Sequence, residues 1–84
     1  MVHAVNPSKI AGVAFEASKA VSNKGFDNVE VLLGLSELMG RIIVELGDTK
    51  IQIDELCKVS SDHLTRTVVA GAQARGKGNL VLVQ

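Results

Sequence analysis

The sequence contains no tryptophan or tyrosine, and two phenylalanines are its only aromatic residues. Aromatic rings supply much of the buried area in most protein cores, so a core here has to be built from Val, Leu, Ile and Ala. The aromatic platforms on which single-stranded nucleic acids stack are also missing. With 84 residues the chain is long enough for one domain, and we expect a single helical domain over residues 1–84.

Cysteine and net charge are scarce as well. Cys57 is the single cysteine, so no intrachain disulfide can form, and a reducing, cytoplasmic location is favoured. The formal net charge is +0, so no overall field attracts nucleic acid. Glu37 and Arg41 interrupt the longest apolar stretch, and the N-terminal residues lack a signal-peptide pattern. We therefore expect neither a nucleic acid nor a membrane as a partner.

The charges are unevenly distributed along the chain. Residues 27–56 carry seven acidic residues against Arg41 and Lys50, whereas the segments on either side are basic. Such a pattern is typical of internal or intersubunit charge complementarity.

Residues that carry chemistry are not arranged as a catalytic or metal site. Cys57 and His63 are six positions apart, so on one helix they point about 120° apart and cannot act as nucleophile and base. We interpret Cys57 as a packed residue. His63 has no metal-binding residue type three or four positions away. We predict no catalytic residues, no metal ligands and no cofactor, and we do not expect an enzyme.

The run from Gly71 to Gly78 matches a phosphate-binding P-loop except that Gly78 replaces the Ser or Thr that reaches the metal ion. A P-loop has to be followed by a helix whose N-terminus faces the phosphate, and here a short apolar run follows instead. We interpret the run as the basic end of a helix. Arg66, Arg75 and Lys77 are kept as candidates for a looser anion contact.

The first helix is expected to begin at Asn6, because Asn followed by Pro7 is a typical cap and first helical residue. Gly25 is expected to end it. Its apolar positions recur at helical spacing and are mostly small: Ile10, Val13, Ala14, Ala17, Ala20 and Val21.

The third helical segment runs from Asp48 or Thr49 to about Ala74, and Thr49 with Gln52 has capping-box spacing. Ser60 starts a short run that can cap a new helix, and residues 65–69 are β-branched enough for a strand. We favour one helix, because the apolar face stays in phase. That face holds Ile53, Leu56, Cys57, Leu64 and Val68. Predicted ion pairs along the segment are Asp54–Lys58 and Asp62–Arg66.

The second helix has the clearest signals. Asp27 and Glu30 have the spacing of an N-cap and N3 pair, and Phe26 and Val31 have the spacing of a hydrophobic staple. Gly47 is expected to end the helix. These signals predict a helix from about residue 27 to residue 46.

The polar strip of the second helix is only about 80–100° wide. It holds Glu30, Gly34, Glu37, Arg41 and Glu45. The main apolar face, which we expect to be covered within the chain, holds Val31, Leu32, Leu35, Leu38, Met39, Ile42, Ile43 and Leu46. A second face, which we expect to contact another molecule, holds Val29, Leu33, Ser36, Gly40 and Val44. The alternative is that one of the two termini folds over this second face.

The sequence therefore predicts an all-α fold with three antiparallel helices. Short apolar arms at Met1–Val5 and Leu80–Val83 are able to form strands. The predicted function is that of a small interaction protein of accessory, adaptor or inhibitor type, which forms homo-oligomers and binds a protein partner. The alternative is a small oligomer that binds an anionic ligand such as a nucleotide, with Arg66, Arg75 and Lys77 near an intersubunit groove.

Overall fold

The computed structural model describes residues 5–76. These residues form the helices α1 (Pro7–Val21), α2 (Asn28–Leu46) and α3 (Lys50–Ala74) and no strand. The predicted all-α class is confirmed, since 82% of the described residues are helical. The apolar arms lie outside the described residues except for Val5, which belongs to neither a helix nor a strand.

The first helix begins at the predicted cap. The Asn6 side chain accepts a hydrogen bond from the N–H of Ser8 at 2.8 Å, and Pro7 fills the first helical position. Proline costs nothing there, because the N–H that it lacks would have no partner inside the helix.

The starts of α2 and α3 are fixed by reciprocal side-chain caps. The Glu30 N–H donates to Asp27 Oδ1 at 2.8 Å, and the Asp27 N–H donates to Glu30 Oε1 at 2.9 Å. At α3 the Gln52 N–H donates to Thr49 Oγ1 at 3.2 Å, while Gln52 Oε1 accepts the Asp48 N–H at 2.7 Å. The capping box of α2 is therefore confirmed, and Thr49 rather than Asp48 caps α3.

The predicted end of α1 at Gly25 is wrong, because the helix already ends at Val21. Ser22 leaves the helical conformation, and its hydroxyl donates to the carbonyl oxygen of Ser18 at 2.7 Å. Asn23 then adopts a left-handed conformation with a φ of 57°. Asn tolerates this region better than most residues, so the chain turns out of the helix before it reaches the glycine.

Gly47 follows the last residue of α2, as predicted, and a side chain at this position would clash with Ile53 of α3. The Gly47 N–H donates to the Ile43 carbonyl oxygen at 3.0 Å. A Cβ added at Gly47 would lie 2.6 Å from Ile53 Cγ1 and 3.1 Å from Ile53 N. The first turn of α3 can approach this closely only because residue 47 has no side chain.

α3 is one continuous helix, as predicted. It continues through the possible break at Ser60 and through residues 65–69, where a strand was the alternative. The β-branched Thr67 fits because its hydroxyl donates to the His63 carbonyl oxygen at 2.9 Å. Neither the helix break nor the strand forms.

Ion pairs along α3 form in a different register from the predicted one. Lys50 Nζ lies 2.8 Å from Asp54 Oδ2, and Lys58 Nζ lies 3.2 Å from Asp62 Oδ2. Basic and acidic residues alternate every four positions from Lys50 to Arg66. The two registers therefore have the same spacing, and exposed pairs differ by only a few tenths of a kcal/mol.

The chain divides into two compact units, residues 1–42 and residues 43–84. No residue among 5–76 is buried. The partly covered residues of the first unit are Ala17, Val21 and Val31. Those of the second unit are Ile43, Gly47, Gln52, Ile53, Leu56, Ser60, Thr65 and Ala72. Within the described residues, neither unit has a closed core, and the single domain stays a prediction.

Two predicted faces are covered less than we expected. The centre of the main face of α2 is only partly covered by the described residues, since Leu35, Leu38 and Ile42 are 37%, 50% and 44% exposed. Full coverage of this face by the chain stays a prediction. Cys57 is exposed rather than packed, and so is Leu64.

Candidate functional site

The candidate site is an apolar face of α2 that stays exposed. It consists of the residues that the sequence predicts as an interface, and we call it the Leu33 face: Val29, Leu33, Ser36, Gly40 and Val44. All five lie on one helix within an arc of about 80°. They extend about 22 Å along the helix axis at 1.5 Å per residue.

The large side chains of the Leu33 face are well exposed. Val29, Leu33 and Val44 are 62%, 62% and 67% exposed, and the leucines of the main face range from 37% at Leu35 to 59% at Leu32. Full burial of such a side chain stabilises a protein by about 1.5–3 kcal/mol. A surface that covers the Leu33 face can therefore recover free energy that the described chain leaves unused.

The centre of the Leu33 face consists of the small residues Ser36 and Gly40, and the Ser36 hydroxyl is already hydrogen-bonded within the helix. The Ser36 hydroxyl donates to the Leu32 carbonyl oxygen at 3.0 Å, so it needs no water or partner. A Cβ added at Gly40 would meet no atom within 4 Å. Another backbone can thus approach α2 closely at this point.

The two borders of the Leu33 face differ in chemistry. On one border Glu37 is paired with Arg41 of the same helix. Glu30, on the same border, uses one carboxylate oxygen for the cap at 2.9 Å. Its other oxygen makes no hydrogen bond within residues 5–76. The opposite border is apolar and is formed by Leu32 and Ile43. The face is therefore apolar in its centre, charged on one side and apolar on the other.

Phe15 belongs to no predicted face, and the structure exposes it on α1. The Lys19 ammonium lies 4.9 Å from the centre of its ring, a cation–π contact. The helical spacing from Ile10 to Phe15 gives the available signal, because five positions place the two residues about 140° apart.

The predicted anion-binding residues do not converge within the described chain. Arg66 lies in α3, and Arg75 caps its C-terminal end. They are nine positions apart, so they point about half a turn apart and are separated by about 14 Å along the axis. Lys77 lies outside the described residues. Gly71 is helical, so the P-loop-like run begins inside α3 and not in a loop.

The remaining reactive side chains of the described chain stay apart. α3 is continuous between Cys57 and His63, so these two residues point about 120° apart. Within residues 5–76 no three His, Cys, Asp or Glu residues are grouped so that they could hold a metal ion. None of the helices described is both long enough and apolar enough to cross a membrane.

A shallow hollow in the first unit lies between the end of α1 and the start of α2. Its lining consists of Val21, Phe26, Glu30, Val31, Gly34 and Leu35. Glu30 is the one titratable residue of this lining and is held in the capping box. The hollow thus contributes apolar surface next to the main face of α2 and presents no pair of groups for proton transfer.

Comparisons with protein-family models, with curated proteins and with solved structures find no match to this chain.

Proposed function

We propose that this chain is a small, non-enzymatic interaction protein that forms a homo-oligomer and binds a partner macromolecule. The observation that carries the proposal is the exposure of α2. Aliphatic side chains point outward over most of its circumference, and no residue among 5–76 is buried. Extended apolar surface of this kind marks sites of association.

Self-association is assigned to the Leu33 face. A well-packed domain of this length buries only about 60–65% of the surface that its unfolded chain exposes. A symmetric dimer uses the same patch on both copies, so one contact covers two exposed faces. A single dimer contact therefore covers the Leu33 face of both copies.

The partner macromolecule is assigned to the main face of α2. Leu38, Met39 and Ile42 are exposed there, and the hollow next to Val31 and Leu35 extends the same surface. Leu38, Met39 and Ile42 are centred about 150° around the helix from the Leu33 face, so this part of the main face and the Leu33 face can be occupied together. We place the protein in the cytoplasm, because its single cysteine fits a reducing compartment.

Two matched glycine substitutions test the self-association. Gly40→Glu places a charge in the centre of the Leu33 face, and Gly34→Glu places the same charge on the polar strip. Neither new Cβ meets an atom within 4 Å, and both changes favour the helix by about 0.5–0.8 kcal/mol. We expect light scattering after gel filtration to show dimers for the unmodified chain and for Gly34→Glu, and monomers for Gly40→Glu. Unchanged assembly of Gly40→Glu would contradict the proposal.

A thermal-shift comparison separates this function from anion binding. ATP and inorganic phosphate are compared with sodium chloride at equal ionic strength. Our proposal predicts no difference among them, because Arg66 and Arg75 do not converge. Stabilisation by ATP or phosphate that is lost in Arg66→Gln would favour the anion-binding alternative instead.

A further inference from the structure

We infer that the occupant of the Leu33 face is a second copy of this chain, packed antiparallel about a two-fold axis at the level of Ser36 and Glu37. This inference rests on the self-association proposed above. It adds the orientation and the register of the two helices, which are set by the shape and the charge of α2.

The Leu33 face fits itself when one copy is turned end for end. With the axis between Ser36 and Glu37, Leu33 faces Gly40 of the second copy, and Val29 faces Val44. Leu33 is a large, exposed side chain, and a Cβ added at Gly40 would meet no atom within 4 Å. A protruding side chain therefore meets open backbone twice, once on each side of the axis.

The charged border supports the same register. In an antiparallel two-fold pair, each border of the face runs beside the same border of the second copy. Arg41 then lies within two residues, or about 3 Å along the axis, of Glu30 of the second copy. Glu30 has one carboxylate oxygen outside the capping box. The Arg41 guanidinium has donors beyond the one that contacts Glu37.

The apolar border of the Leu33 face likewise runs beside the apolar border of the second copy. Leu32 lies within about 3 Å along the axis of Ile43 of the second copy, so apolar side chains meet each other there. A parallel pair would instead place Leu33 against Leu33 and set the charged border against the apolar one. Glu30 and Arg41 would then lie beside aliphatic side chains, which disfavours that arrangement.

One contact opposes the arrangement and sharpens its test. The axis brings the two Glu37 side chains close to each other, although each is paired with Arg41 of its own helix. Glu37→Gln removes this repulsion, so we expect it to strengthen the dimer. Arg41→Gln removes both intersubunit pairs, and we expect the dimer dissociation constant to rise about 2- to 20-fold. Dissociation constants that move in the opposite directions would overturn the register.

Cysteine cross-linking tests the orientation. Cys57→Ser removes the exposed native thiol, and Val29→Cys and Val44→Cys are then introduced into separate chains. With a short bifunctional thiol reagent, we expect an equal mixture to give at least about tenfold more cross-linked dimer than either chain alone, because only the unlike pair is close. A mixture of Val44→Cys with Val59→Cys serves as control, and circular dichroism checks the helix content.

The remaining outcomes separate the inference from the proposal on which it rests. Cross-linking of Val29→Cys chains to themselves would show parallel pairing and overturn the inference. The absence of cross-links in chains that light scattering shows to be dimeric would overturn the Leu33 face as the contact. Monomers in light scattering would overturn both the inference and the proposed self-association.

Discussion

α2 and α3 follow each other in the sequence but are built for different surroundings. α3 has charges that alternate every four positions and two ion pairs, Lys50–Asp54 and Lys58–Asp62. α2 has one ion pair along a narrow strip and exposes leucine, isoleucine and valine over most of its circumference. Charged residues with i,i+4 pairs allow one side of a helix to face water, whereas a helix that is apolar over most of its circumference has to be covered. The comparison therefore favours α2 as the surface for the interaction that we propose.

We expect the largest effect on assembly from a carboxylate placed on α2, whereas a carboxylate placed on α3 should have no effect. Leu33→Asp places a carboxylate where the second copy is expected to pack, and Val59→Asp places one on the exposed side of α3. We expect Leu33→Asp to weaken assembly by at least about 100-fold, because burying an unpaired charge costs several kcal/mol. Val59→Asp should leave assembly unchanged. Equal effects in analytical ultracentrifugation would remove the distinction between the two helices.

The connection between the two helices gives the next largest effect. Gly47→Ala forces a methyl group to within 2.6 Å of Ile53 Cγ1, and overpacking of this kind costs about 1–3 kcal/mol. Gly71→Ala in α3 is the control, because its Cβ would meet no atom within 4 Å. We expect urea denaturation at one fixed protein concentration to show a loss for Gly47→Ala. For Gly71→Ala we expect a gain of up to about 1 kcal/mol. A stabilising Gly47→Ala would contradict the close approach.

Loss of the N-terminal cap should destabilise α2 and α3 by similar amounts. Asp27→Ala and Thr49→Ala each remove one cap hydrogen bond, and we expect each to lower the free energy of unfolding by about 1 kcal/mol. The same urea titration measures both. Similar losses would show that the two helices differ in their faces and not in their starts, whereas a silent Asp27→Ala would count against the capping box.

The smallest effect should come from the ion pairs of α3. Lys58→Gln removes the pair with Asp62, and we expect a loss below about 0.5 kcal/mol that disappears at high salt. A larger loss that persists in salt would mean that α3 depends on these pairs more than an exposed helix should.

The helix starts could be predicted from the sequence because their signals are local. Asn6 with Pro7, and Asp27 with Glu30, act over three residues and need no tertiary contact. The structure places a cap hydrogen bond at both. The grouping of the five Leu33-face residues could be predicted for a similar reason, since helical spacing alone determines which residues share a side of α2.

Features that depend on tertiary contacts or on near-equal energies could not be predicted. The exposure of Leu38 and Cys57 depends on what packs against their helices, which periodicity does not give. The pairing of Asp54 with Lys50 rather than Lys58 is a choice between two registers of the same spacing. The end of α1 depended on which of two residues first adopted a positive φ, and Asn23 preceded Gly25.

Sedimentation equilibrium of the unmodified chain over a wide concentration range tests the central claim most directly. If α2 is built for a second copy, the fitted mass should approach twice the chain mass of 8.9 kDa as concentration rises. A mass that stays at 8.9 kDa at every concentration would contradict the account.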